Sequence, residues 1–182
     1  MMIEPIAWLD RKFTFDQPVG VFPALLERLQ GTPDRAASLV AGFSEDELGA
    51  RTIRGWSVKE HLGHLIDLQP LDEKRLSEFL EHAEILSAAD TENRLTENAN
   101  HGQAPIAEIL ARLRVGRIEL VRKLERLTAE QVAISALHPR LQAPMRLLDW
   151  VYFVAEHDDH HLAKARQTIL HFRSPMIKET RP

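Results

Sequence analysis

The stretch EHDDHHLAKARQ, residues 156–167, sets His157, His160 and His161 beside Asp158 and Asp159 in what otherwise reads as an amphipathic helix. Imidazoles and carboxylates ligate divalent ions and carry protons at neutral pH. An inward stripe runs through Leu147, Trp150, Val151, Val154, Ala165 and Ile169. With Leu147 at zero and about 100° per residue, His157 falls at about −80°, His161 at about −40° and Asp158 at about +20°, all facing inward. His160 falls near 220° and points outward. His157 and His161 therefore lie one turn apart on one face, the His-x3-His spacing with which helical zinc sites hold an ion. The plain alternative is a pair of interior histidines bonded to their neighbours. Against it stands the need of each buried imidazole and carboxylate for a polar partner. Asp158 could orient an imidazole through its N–H or pair with an arginine.

A second histidine pair stands in KEHLGHLIDLQP, where His61 and His64 are three apart. A stripe through Val58, Leu62, Leu65, Gln69 and Leu76 leaves His61 about 60° and His64 about 120° from its centre. Periodicity favours His61. A kink at Pro70 and contact with two neighbouring helices would widen the interior face enough to admit His64. One of the two could complete a three-histidine site, leaving the other as a surface or supporting group. The chain has no cysteine, so disulfides and thiolate-bound zinc are excluded. Three neutral histidines with a vacant fourth position are the arrangement of catalytic rather than structural zinc.

The elements that must position these residues read as all-α. Glycine is scarce, at 8, aromatic residues are 6%, and apolar residues recur at three- and four-residue spacing. A first helix covers residues 22 to about 30, and Thr32 and Pro33 can cap and open a continuation toward Gly42, the two pieces forming one bent helix. Ser44 to Leu48 and Thr128 to Gln131 look like short capped turns. Ser57 with Glu60 forms a capping box, Trp56 staples that start, and the helix runs to about Leu86 with a kink near Ile66 forced by Pro70. Residues 87–104 read as a loop, 105–127 as a third helix, 128–144 as a loop with Pro139 and Pro144, and 145–171 as a fourth helix. The expected fold is thus a four-helix bundle with short accessory helices, in one domain spanning 1–182. Residues 1–20 form an arm along it and 173–182 a loose tail.

Composition bounds the function. A net charge of −4 and a pI near 6.1 give no basic footprint for nucleic acid. No apolar run reaches the roughly 20 residues of a membrane span, and Glu4 and Pro5 stand where a signal peptide would be apolar, so a cytoplasmic protein is expected. Arg112, Arg114, Arg117, Arg122, Lys123 and Arg126 read as a solvated face, or as a rim for an anionic substrate. His82, His101, His138 and His171 read as isolated loop or surface groups, and Trp8, Trp56 and Trp150 as packing anchors. Cavity walls are expected from loops 49–55, 87–104 and 128–144.

Three segments, KFTFDQPVGVFPALLERLQGTP, GWSVKEHLGHLIDLQPLDEKR and PMRLLDWVYFVAEHDDHHLAKA, together resemble the DinB-like superfamily of four-helix-bundle metalloproteins nearly end to end. The resemblance implies a metal triad of His64, His157 and His161, replacing the periodicity preference for His61. It also implies a divalent cofactor, with zinc and nickel foremost, and a small-molecule substrate such as a low-molecular-weight thiol. Relatives transfer such thiols, isomerise thiol adducts or are described as metal-dependent hydrolases. An acidic residue often stands in relatives where this chain has Gln69, and an aromatic one near Asp72; these departures bear on the substrate side. The expected function is a thiol-dependent S-transferase or related hydrolase, the alternative a non-catalytic metal- or ligand-binding bundle. A homodimer is also expected.

Overall fold

The computed structural model describes residues 3–52 and 55–173, with backbone alone at 172 and 173; the expected tail lies otherwise outside the described residues. Helices α1 (Phe22–Gln30) and α2 (Thr32–Val40) meet at Gly31 without a side-chain cap. Thr32 does not cap: its hydroxyl donates to the Arg28 carbonyl at 3.3 Å, while Arg35 N–H bonds Gly31 at 3.0 Å and carries the helical pattern across the joint. The short helices α3 (Glu45–Gly49) and α8 (Ala129–Val132) open with the expected capping boxes of Ser44 and Thr128.

Ser57 and Glu60 cap α4 (Val58–Asp67) reciprocally. The single kinked helix expected from there to Leu86 is instead two helices. The chain breaks at Leu68, and α5 (Gln69–Leu80) begins with Pro70 in its first turn. A proline lacks only an N–H that a helix start leaves unbonded, so a break costs less than a kink. The expected loop 87–104 contains α6 (Arg94–Asn98) and a 3-10 turn at His101–Gln103. Helix α7 (Ile106–Leu124) follows as expected. The expected loop 128–144 holds a hairpin, β1 (Ser135–His138) antiparallel to β2 (Ala143–Arg146), with His138 opposite Ala143. Four-residue strands with a proline in one are too short for alternation to show. Helix α9 (Leu147–Arg173) is the longest element, and α4, α1 and α2 pack against it and α7. No helix is long and apolar enough to cross a membrane among the described residues.

The core lies in two apolar clusters. Ala155 of α9, Leu120 of α7 and Leu76 of α5 belong to one, whereas Leu162, Leu113 and Ile66 belong to the other. Between them the helices carry buried polar groups: His157, Asp158 and His161 on α9, Arg117 on α7 and Asp72 on α5. Arg117, expected on a solvated face, is 1% exposed. Its Nε and Nη2 donate to the two Asp158 carboxylate oxygens at 2.9 and 2.7 Å, and its Nη1 to Asp72 at 3.1 Å. Of the two roles open to Asp158, arginine pairing is the one the structure shows.

One guanidinium cannot fully neutralise two buried carboxylates. Asp72 holds the longer, single bond, and burial pushes its carboxyl up to about 6, the attraction of Arg117 opposing and the repulsion of Asp158 adding to the rise. The folded chain therefore binds this proton more tightly than the unfolded chain. Its contribution to stability is present at low pH and lost as pH rises from about 4 through about 6. Between pH 4 and 7 the wild type is expected to lose roughly 2–3 kcal/mol relative to Asp72→Asn, read by chemical unfolding at each pH. Arg117→Leu strands two buried carboxylates and is expected to cost about 3–5 kcal/mol in urea unfolding. Adding Asp72→Leu and Asp158→Leu to it should recover most of that loss.

Candidate metal centre

Helix α4 delivers His64, and successive turns of α9 deliver His157 and His161. One ring nitrogen from each lies within 4.8 Å of the others, and all three residues are buried. The Nε2 atoms of His157 and His161 are 3.2 Å apart. Two nitrogens sharing one tetrahedral ion at 2.0–2.1 Å would sit about 3.3 Å from each other, so the spacing suits a common cation.

Hydrogen bonding sets the ring protons. Thr96 of α6 donates its only hydroxyl proton to Asp67 at 2.8 Å, so it must accept from His64 Nδ1, 2.9 Å away. That bond leaves the lone pair of His64 on Nε2. His161 Nδ1 lies 3.1 Å from Nδ1 of His61, and donation along this contact frees His161 Nε2. Periodicity preferred His61 as a ligand; the structure places it behind His161 as a bonding partner. Burial pushes the imidazoles of His157 and His161 well below the ordinary range, lowers His64 to about 4 against the opposing pull of Asp67, and lowers His61 to about 3. All four are neutral at pH 7, the state in which imidazole binds metal.

The support extends through residues that sequence reasoning passed over. Asp67 also accepts from His101 Nε2 at 2.9 Å. Burial alone would raise the Asp67 carboxyl, but the bonds from His101 and Thr96 hold it below its usual value. His101, expected as an isolated surface group, is 3% exposed and lies against Gly63 of α4, where a Cβ would come 2.3 Å from the ring. Glu97 accepts from Trp56 Nε1 at 2.5 Å and from Arg51 at 2.8 Å, and Arg51 also bonds Glu60, which ties α6 to the start of α4. Glu60 thus keeps its expected capping role. The visible signal for this shell was only Asp67, one turn beyond His64 on a helix already committed to burying its other face.

A cavity of about 540 Å³ opens beside the histidines. Trp8 and Trp56 wall it, the Trp8 ring lying 4.7 Å from His157 and Trp56 5.0 Å from His64, while Trp8 also packs on the core as expected, 4.9 Å from the Phe153 ring. Trp150, fully buried, is the packing anchor expected. His160, expected to face outward, is 9% exposed and lines the cavity, its ring 5.6 Å from Trp8. The arm covers a face that a lone helix would show to water. Of the expected loop walls, 87–104 and 128–144 contribute Asp90 and Arg140, while no described residue of 49–55 lines the cavity. Asp72 lines it; Gln69 instead packs on Gly116 of α7.

The outer residues of EHDDHH hold the arm and first helices. Glu156 accepts from Arg11 and Arg28, while the two arginine contacts of Asp159, from Arg28 and Arg35, are both 2.5 Å.

YfiT from Bacillus subtilis, described as a probable metal-dependent hydrolase with an unusual four-helix bundle topology, is similar in structure at a TM-score of 0.78. The likeness covers 89% of this chain and 93% of that one at 19% identity, a level that speaks to fold. No curated protein sequence matches the chain. A family model matches residues 28–165, from α1 through both helices that carry the histidines, and on that match the chain belongs to the DinB superfamily.

Proposed function

We propose that the protein is a metal-dependent enzyme in which His64, His157 and His161 hold a divalent ion, zinc or nickel. The substrate is a small molecule, with a low-molecular-weight thiol foremost, and the reaction is an S-transfer or a related hydrolysis. The carrying observation is the convergence of three neutral imidazole nitrogens on one point at the wall of an open cavity. Such a cation, when bound, lowers the pKa of a thiol or water that it holds, making a nucleophile available at neutral pH. The description of YfiT as a probable metal-dependent hydrolase supports the same class.

The chain's own part is positioning and exclusion. Thr96 fixes the His64 ring in the tautomer that presents a lone pair, His61 holds the His161 ring in place, and Trp8 and Trp56 shield the site from bulk water. A tie between α4 and α9 without chemistry is the competing role, since the histidines bridge those helices. Metal that raises the melting temperature while thiol–electrophile conjugation and ester hydrolysis both stay at background would establish that role.

Protein purified without a tag or added metal is expected to carry about one divalent ion per chain by elemental analysis, and His161→Ala almost none. Thr96→Val removes a hydrogen bond from a ligand without removing the ligand. Its metal affinity should fall roughly 10- to 100-fold in competition with a chelating dye, with the helical circular dichroism retained.

A further inference from the structure

Another part of the same cavity wall is made by His138, at the end of β1, and Arg140, in the hairpin turn, together with Arg75 of α5. His138 is 2% exposed. Its Nδ1 accepts the backbone N–H of Leu141 at 3.2 Å, which places the ring proton on Nε2, and Nε2 is buried without a partner. Arg140 carries a second orphaned donor: Nη2 is buried without a partner, and Nη1 reaches only the Leu9 carbonyl at 3.4 Å. Buried donors are nearly always bonded, so two in one wall of a cavity point to a missing acceptor.

Charge points the same way. Arg75, 4% exposed, donates Nε and Nη2 to the neutral carbonyl of Ser87 at 3.0 and 2.8 Å. Neither Arg75 nor Arg140 forms an ion pair with a carboxylate among the described residues, in contrast to Arg117 in the same cavity, although Asp72 and Glu78 attract Arg75 from further off. The Phe153 ring, 5.2 Å from the His138 ring and 5.6 Å from Cζ of Arg140, holds both against an apolar surface that continues through Val154, Leu68 and Leu71.

We propose that His138, Arg140 and Arg75 form an anchoring site for the carboxylate of an organic substrate whose other end reaches the three histidines. A planar carboxylate offers two oxygens, enough for an imidazole N–H and a guanidinium N–H, and the apolar wall accommodates a hydrocarbon body. The inference rests on the metal-centre reading for the reacting end of the substrate, but not for the anchored end.

The test uses hexanoate and hexan-1-ol, which share a chain and differ in the head group, titrated calorimetrically into full-length protein freed of metal by chelation. Hexanoate is expected to bind roughly ten- to hundredfold tighter than the alcohol. Arg140→Gln and His138→Phe, the latter keeping a ring against Phe153, should each remove most of that preference, whereas His161→Ala should retain it. Equal affinity for acid and alcohol, or a preference that survives both substitutions, would overturn the proposal. Should His138→Phe fail to fold, Arg140→Gln in the hairpin turn decides alone. A chain that binds its ion but shows no hexanoate preference loses this site only; one that prefers hexanoate but takes up no metal loses the metal-centre reading only.

Discussion

The Arg117 guanidinium, closed between Asp158 of α9 and Asp72 of α5, sets three helices in register at the level of the three histidines, and most of the polar architecture follows from that lock. A bidentate grip on Asp158 fixes the rotation of α9 about its own axis. With that rotation fixed, His157 and His161 can only turn toward α4. Ion clusters of this kind contribute little net stability compared with a well-packed apolar layer. Their value here is geometric, since they occupy a break between two apolar clusters that would otherwise merge and leave no room for imidazoles.

The six residues EHDDHH divide their work by direction. Glu156 and Asp159 take arginines from the arm and first helices, Asp158 takes Arg117 in the interior, His157 and His161 meet His64, and His160 faces the cavity under Trp8. The carboxylates each have an arginine partner, and His157 and His161 share the triad, as the desolvation penalty demands. On the other helix, a line of bonds from His101 through Asp67 and Thr96 ends at His64. Gly63 makes that line possible by leaving space for the His101 ring.

His138 and Arg140 differ from these groups because their donors end in empty hydrogen-bonding capacity. Within one cavity, then, one part of the wall consists of satisfied, oriented imidazoles and another of unsatisfied cationic or N–H groups. The substrate proposed above, with one end for the metal and a carboxylate at the other, would meet both.

Most helix positions, the caps at Ser44, Ser57 and Thr128 and the inward turn of His157, Asp158 and His161 were legible because they depend on contacts within a few residues of the chain: hydrophobic periodicity and a serine or threonine three residues before a glutamate or glutamine. The choice between His61 and His64 was not. A single wheel for α4 assumes one buried face, whereas Trp56, α6 and α9 enclose this helix from several sides and bury both histidines. His160 was misread for the same reason, the arm that covers it being remote in sequence, and so was Arg117, whose carboxylate partners come from two other helices. The linear chain determined by itself which groups could do chemistry and on which helices they would ride. Only tertiary packing decided which nitrogens face each other, because that depends on burial and partners contributed from far along the chain, and side-chain periodicity carries no information about either.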